Sequence, residues 1–175
     1  MPEQRKTFHE ELDEIRDDIV RLGALVSEVI PRGTEVLLAN DMRGAQQLIE
    51  SDDELDDLSL RIEEHCYHVL ALQQPMASDL RSIVTAVWLT GELERSGDLM
   101  VNVAKGARRI YGVTLDPKLR GLIERMSEEA ARLVKLSLDA YAERNASLCL
   151  FLTDRLDTST KYFGNIATVL KHQSN

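Results

Sequence analysis

From Phe8 to Ile110 the apolar side chains recur at spacings of three and four, stretch after stretch, and this persistence constrains the fold more than any other feature. The first pattern carries Leu12, Ile15, Ile19, Leu22, Val26, Val29, Val36 and Leu37 and should end near Ala39. Pro31 removes one i to i−4 hydrogen bond inside it, with Gly33 close by, so a bend is expected there and not necessarily a break. Asn40 to Gly44 supplies a turn. A second pattern starts between Asp41 and Ala45, passes Ile49, Leu55, Leu58, Ile62, Cys66 and Val69, and ends near Gln73, ahead of Pro75. The third runs from Pro75 or Met76 through Leu80, Ile83, Val84, Val87, Trp88, Leu93, Val101 and Ala104 to Ile110, with Gly112 as its stop.

Patterns of this length, joined by connectors this short, force antiparallel neighbours, so the fold class is all-α and begins with a long three-helix bundle. Asp116 and Pro117 form an N-cap and N1 pair that opens a fourth helix through Leu119, Met126, Ala130, Leu133, Val134 and Ala140. After Glu143, Arg144 and Asn145 a fifth pattern reaches about Leu170. Sliding the first helix by 104 positions sets Ile15, Leu22, Val26, Val29, Ile30 and Val36 on Leu119, Met126, Ala130, Leu133, Val134 and Ala140. The chain therefore divides at residues 1–112 and 113–175, a complete repeat and a second one of two helices. A two-helix hairpin leaves an apolar face to be covered, so a homodimer is expected.

With 43% hydrophobic and 29% charged residues, and only 9 Gly and 4 Pro in 175 residues, the chain has the composition of a folded globular protein. Its net charge of −9 argues against nucleic acid or an anionic lipid surface as a direct partner. No apolar signal segment opens the chain and no run reaches 18 apolar residues, so a cytoplasmic protein is expected, meeting membranes only through its partners. Cys66 and Cys149 lack metal-knuckle spacing and read as ordinary thiols, Cys66 in phase with the core.

Two carboxylate pairs break the binary pattern. At 100° per residue, Glu94 and Asp98 fall in one band with Leu80, Ile83, Val84, Val87, Gly91, Val101, Asn102 and Lys105, while Asp52, Asp56 and Glu63 share a sector with Leu55, Cys66 and Leu70. With the intervening turn near Gln74, Asp52 and Asp56 stand about as far before it as Glu94 and Asp98 stand after it, so the two pairs should meet at one height. Four such groups repel one another unless a cation neutralises them, and their oxygens suit a hard cation or a carboxylate-bridged metal pair. The competing reading is a solvated edge, with Arg61 or Arg95 in ordinary ion pairs and Asp52 and Asp53 as an acidic first turn favoured by the helix dipole. His65 and His68 lie on the far side of their helix, and no Glu-x-x-His repeat of a di-iron bundle occurs. Trp88 is expected to pack beside the inward band, and Lys105, Arg108 and Arg109 to decorate a helix terminus. No phosphate loop, zinc knuckle or catalytic triad signature is present.

The run Gln74-Pro75-Met76-Ala77-Ser78-Asp79-Leu80-Arg81, followed by Leu93-Glu94-Arg95-Ser96-Gly97-Asp98-Leu99 and Asn102-Val103-Ala104-Lys105, and preceded by Asp52-Asp53-Glu54-Leu55-Asp56, resembles the PhoU family of phosphate-signalling regulators. The resemblance implies two similar three-helix bundles whose second and third helices carry acidic motifs that bind iron, zinc or another divalent cation. It assigns the first set of ligands to Asp52, Asp56, Glu94 and Asp98, with Asn102 one turn further on. Asp154-Arg155-Leu156-Asp157 echoes Asp53-Glu54-Leu55-Asp56, but Thr153 replaces the counterpart of Asp52 and no third helix follows, so the second site is expected to be incomplete and the chain to be shortened at its C-terminus. The resemblance also implies a non-enzymatic adaptor that links the phosphate ABC transporter ATPase to a sensor histidine kinase and damps the phosphate-starvation response. The alternative is a carboxylate-bridged metal protein for storage or oxidation; a scaffold without metal is a third reading.

Overall fold

The computed structural model describes residues 2–145, with side chains from residue 8 onward; the fifth helical pattern, Cys149 and the Asp154 to Asp157 echo lie outside the described residues. Every regular element among the described residues is a helix: α1 (Pro2–Ala39), α2 (Met42–Glu50), α3 (Asp52–Gln73), α4 (Ser78–Arg109) and α5 (Pro117–Ala142). Helix α1 runs unbroken through the exposed Pro31. The proline leaves the Ser27 carbonyl without its helical donor, a cost that a solvent-facing position softens. Asn40 takes a left-handed φ of 53° to turn the chain, and the Asp41 carboxylate then accepts from the amides of Arg43 and Gly44 at 3.1 and 2.9 Å to start α2.

The single second helix expected from periodicity is two. Ser51 ends α2 and begins α3, its hydroxyl donating to the Leu48 carbonyl at 2.9 Å. A serine hydroxyl that bonds back to the preceding turn competes with the helical pattern, and apolar spacing carries no trace of it. The break makes Asp52, Asp53 and Glu54 a first turn, where the helix dipole favours acids. Helix α4 also starts later than expected, at Ser78, because Gln74 and Ala77 adopt left-handed φ values of 46° and 50° on either side of Pro75 and Met76.

Helix α1 packs along α3, α4 and α5; α4 also contacts α2 and α3, and α5 rests on α1 alone among the described helices. Ile15, Ile19, Leu22 and Val26 of α1 meet Leu58, Ile62, Cys66 and Val69 of α3, Ile83, Ala86 and Leu93 of α4, and Leu138 of α5 in one core. Each large aliphatic side chain buried there contributes about 1.5–3 kcal/mol. A smaller cluster of Val36, Leu48, Val101 and Ala104 closes the other end. Gly23 permits the approach of α5: a Cβ there would collide with the Leu138 side chain. The N-cap of α5 is as expected, Asp116 accepting from the amides of Lys118 and Leu119 ahead of Pro117.

The buried face of α4 differs from the expected band. Leu80, Val84 and Trp88 are exposed, Trp88 by 74%, while Ile83, Ala86, Thr90, Leu93, Gly97, Val101, Ala104 and Ala107 face inward. Serving three neighbouring helices, α4 presents its small residues to them and turns part of its aliphatic stripe outward. Reading large side chains as the core therefore misplaces its face.

Candidate metal centre

Helices α3 and α4 approach closely at Gly97, where an added Cβ would stand 2.8 Å from Cδ1 of Leu55. Leu55 seats over the glycine, and each of these residues is flanked on its own helix by a carboxylate pair: Asp52 and Asp56 around Leu55, Glu94 and Asp98 around Gly97. Glu94 lies three residues from Gly97, about 60° round the helix, so the acids sit at the rim of the buried seam and not in the core itself. Asp52 and Glu94 are half-buried, Asp56 and Asp98 exposed. A rim position explains how acids can share a helix face with Val101 without being stranded away from water.

The two pairs feel one another across the seam. Partial burial, then the carboxylates of Asp56 and Asp98, raise the Asp52 carboxyl above its ordinary range, and Lys105 opposes them. Burial, then Asp98, Asp53 and Asp57, raise Asp56. Glu94 is raised by burial first and then by Asp98, Asp56 and Asp52, against the lowering effect of Arg95. Asp52, Asp56, Glu94 and Asp98 thus form one electrostatic cluster built from both helices. Asn102 is exposed one turn beyond Asp98.

Lys105, read from the sequence as part of a basic helix terminus, instead acts on the cluster through Asp52. Its position was legible, since residues 94, 98 and 105 share one side of a helix. Gly97 was the residue sequence reasoning missed; a glycine between two acids on a packed helix is the signal of close approach. Asp52 also borders a cavity of about 180 Å³ between α1, the α2–α3 break and α4, which Glu28 and Arg32 line from the α1 side.

An all-oxygen donor set suits a hard or borderline divalent cation, and the mutual repulsion of its members is what such an ion relieves. Among the described residues no three His, Cys, Asp or Glu side chains converge to hold one ion as they stand. The cluster suits a metal in donor type, and its side chains as they stand are too far apart to share one ion. His68 is exposed and His65 half-buried, and neither influences the carboxylates. Cys66 is fully buried, and burial pushes its thiol up to about 11, which leaves it a core residue and a poor nucleophile.

Comparison with known proteins places the chain in a wider set. The PhoU domain model matches residues 19–107, the span that holds both acidic pairs and Gly97. The phosphate-specific transport system accessory protein PhoU homolog of Clostridium acetobutylicum is 36% identical over 142 residues, covering 81% of this chain and 64% of the relative, so the chain spans under two thirds of that protein's length. PhoU homolog 2 of Mycobacterium tuberculosis is 35% identical over 167 residues, covering 95% of this chain and 78% of the relative. The crystal structure of PhoU from Pseudomonas aeruginosa shares the fold with a TM-score of 0.86 at 28% identity, over 95% of this chain and 79% of that one. With the model matching half of the chain and the M. tuberculosis relative aligned along most of it, the chain belongs to the PhoU family.

Proposed function

We propose that this chain is a regulator of phosphate-specific transport, an adaptor that contacts the ATPase of a phosphate ABC transporter and a sensor histidine kinase and restrains the phosphate-starvation response. The observation that carries the reading is the carboxylate cluster at the Gly97 seam in a chain whose relatives are named accessory proteins of that transport system. It acts by contact and population shift and not by bond chemistry; the inert state of Cys66 supports this. No described helix is long and apolar enough to cross a membrane, which accords with a cytoplasmic protein that reaches the membrane through its partners. A homodimer belongs to the same reading, supported by Trp88 and Leu99, large apolar side chains left exposed on α4.

Asp52, Asp56, Glu94 and Asp98 would hold iron, zinc or another divalent cation, with Asn102 as an outer ligand. The ion would supply positive charge that draws α3 and α4 together at their rim. This chain's own residues set the approach: Leu55 on Gly97 fixes the helix spacing, and Lys105 holds part of the compensating charge near Asp52.

Co-purification of the full chain with the transporter ATPase and with the kinase tests the adaptor role: capture of either supports it, and peroxide consumption coupled to iron uptake with neither partner captured replaces it with a storage or oxidation protein. Metal content measured on the chain and on a Glu94→Ala, Asp98→Ala variant tests the site; equal metal in two equally helical proteins removes it.

A further inference from the structure

A cavity of about 570 Å³ lies at the other end of the bundle, lined by the first half of α1, the start of α4 and the end of α5. Ser82 on its wall is sixteen residues from Asp98, about 24 Å along α4, so this cavity is separate from the carboxylate cluster. Its volume is that of a small-ligand pocket.

The lining is unusual for a chain of net charge −9, because three segments each contribute a guanidinium: Arg16 from α1, Arg81 from α4 and Arg144 from the turn after α5. Asp13 answers two of them, at 2.8 Å from Arg16 and 4.0 Å from Arg144. One carboxylate is thus shared between two cations, and Arg81 has no ion-pair partner among the described residues. The other lining carboxylate, Asp79, is approached by the Ser78 hydroxyl at 3.4 Å. Three guanidiniums against two carboxylates leave an excess positive charge, in a cleft whose walls exclude water on the side of Ile15 and Ile83. Guanidiniums present forked donors that match the oxygens of a phosphoryl group, and a cleft binds such a group better than an open surface does. Beside them, Tyr141, with Leu12 and Ala86, forms an apolar wall able to pack a flat ring.

We propose that this cavity binds a phosphorylated small molecule, with Arg81 and Arg144 on the phosphoryl group and the Tyr141 wall beside the rest of the ligand. Inorganic phosphate and a nucleotide carry the same recognised group and differ in whether they use that wall. Bound there, either bridges α1, α4 and α5, so occupancy biases how the second repeat sits on the first bundle. The proposal concerns residues apart from the metal site and needs neither transporter nor kinase.

The test is calorimetric titration of the full chain, with EDTA present to silence the carboxylate cluster, using ADP, inorganic phosphate and adenosine. ADP should bind with a Kd of about 1 mM or tighter, and the exposed-side substitutions Arg81→Gln and Arg144→Gln should each weaken it about tenfold with helicity unchanged. Phosphate binding as tightly as ADP assigns the site to the free ion; tighter ADP assigns it to a nucleotide. Either result supports the shared chemistry. Adenosine matching ADP, no binding of ADP or phosphate at about 10 mM, or two folded variants that bind like the wild type would overturn it.

Discussion

Gly91 and Gly97 stand on the same helix, less than two turns apart, and meet opposite surroundings. A Cβ at Gly91 would find no atom within 4 Å, whereas one at Gly97 would press on Leu55 at 2.8 Å. Around Gly91 the helix shows Trp88 to solvent; around Gly97 it is locked to α3 with carboxylates along the rim. Gly91 and Gly97 lie about 120° apart round the helix, so one helix carries an open face and a closely packed one. The closeness of the packed face gathers the acids, because a wider spacing of α3 and α4 would let them relax apart.

The largest effect that separates the two faces should come from Gly97→Val. The added methyls have Leu55 in their way, and overpacking of this kind costs about 1–3 kcal/mol. Chemical denaturation should show that loss together with weaker coupling among Asp52, Asp56 and Glu94, seen as carboxyl titrations in NMR that move back toward ordinary values. A variant as stable as the parent would mean that Leu55 moves freely and that the seam is not close. Gly91→Ala should do the reverse, stabilising by about 0.5–1 kcal/mol because alanine limits the unfolded chain and meets nothing in the folded one. A measured destabilisation there would place a neighbour against this face, as a dimer through α4 requires.

The same contrast separates what was legible in the sequence from what was not. Three-and-four spacing located the helices, and turn chemistry at Asn40 and Asp116 placed two of their starts, because both signals are local. The meeting of Asp52 and Asp56 with Glu94 and Asp98 followed from counting residues either side of one turn. Which face of α4 is buried was not local: it depends on three partner helices that select Ala86, Gly97 and Ala104 for their small size. A hydropathy stripe weights Leu80, Val84 and Trp88 more heavily, and so points about a quarter of a turn away from the true seam. The break at Ser51 escaped for a similar reason, since the backbone leaves the helix there at φ −83° and ψ −1° while the apolar rhythm continues across.

The smallest effect belongs to the carboxylates and has a definite sign with pH. Asp52, Asp56 and Glu94 have folded-state pKa values raised above their unfolded ones, so the folded chain holds protons that the unfolded chain has released. Their cost is absent below the ordinary carboxylate pKa near 4, grows as pH rises through the raised values, and is fully present at neutral pH. Asp98→Asn removes a repelling charge that acts on all three, so it should stabilise the metal-free protein by about 0.2–0.5 kcal/mol at pH 7, with the gain shrinking in about 1 M salt and gone below about pH 4. Urea titrations of parent and variant at pH 7 and pH 3.5 check this. A gain that persists at the lower pH would trace to packing at the rim and not to charge, and would detach the cluster's electrostatics from its stability.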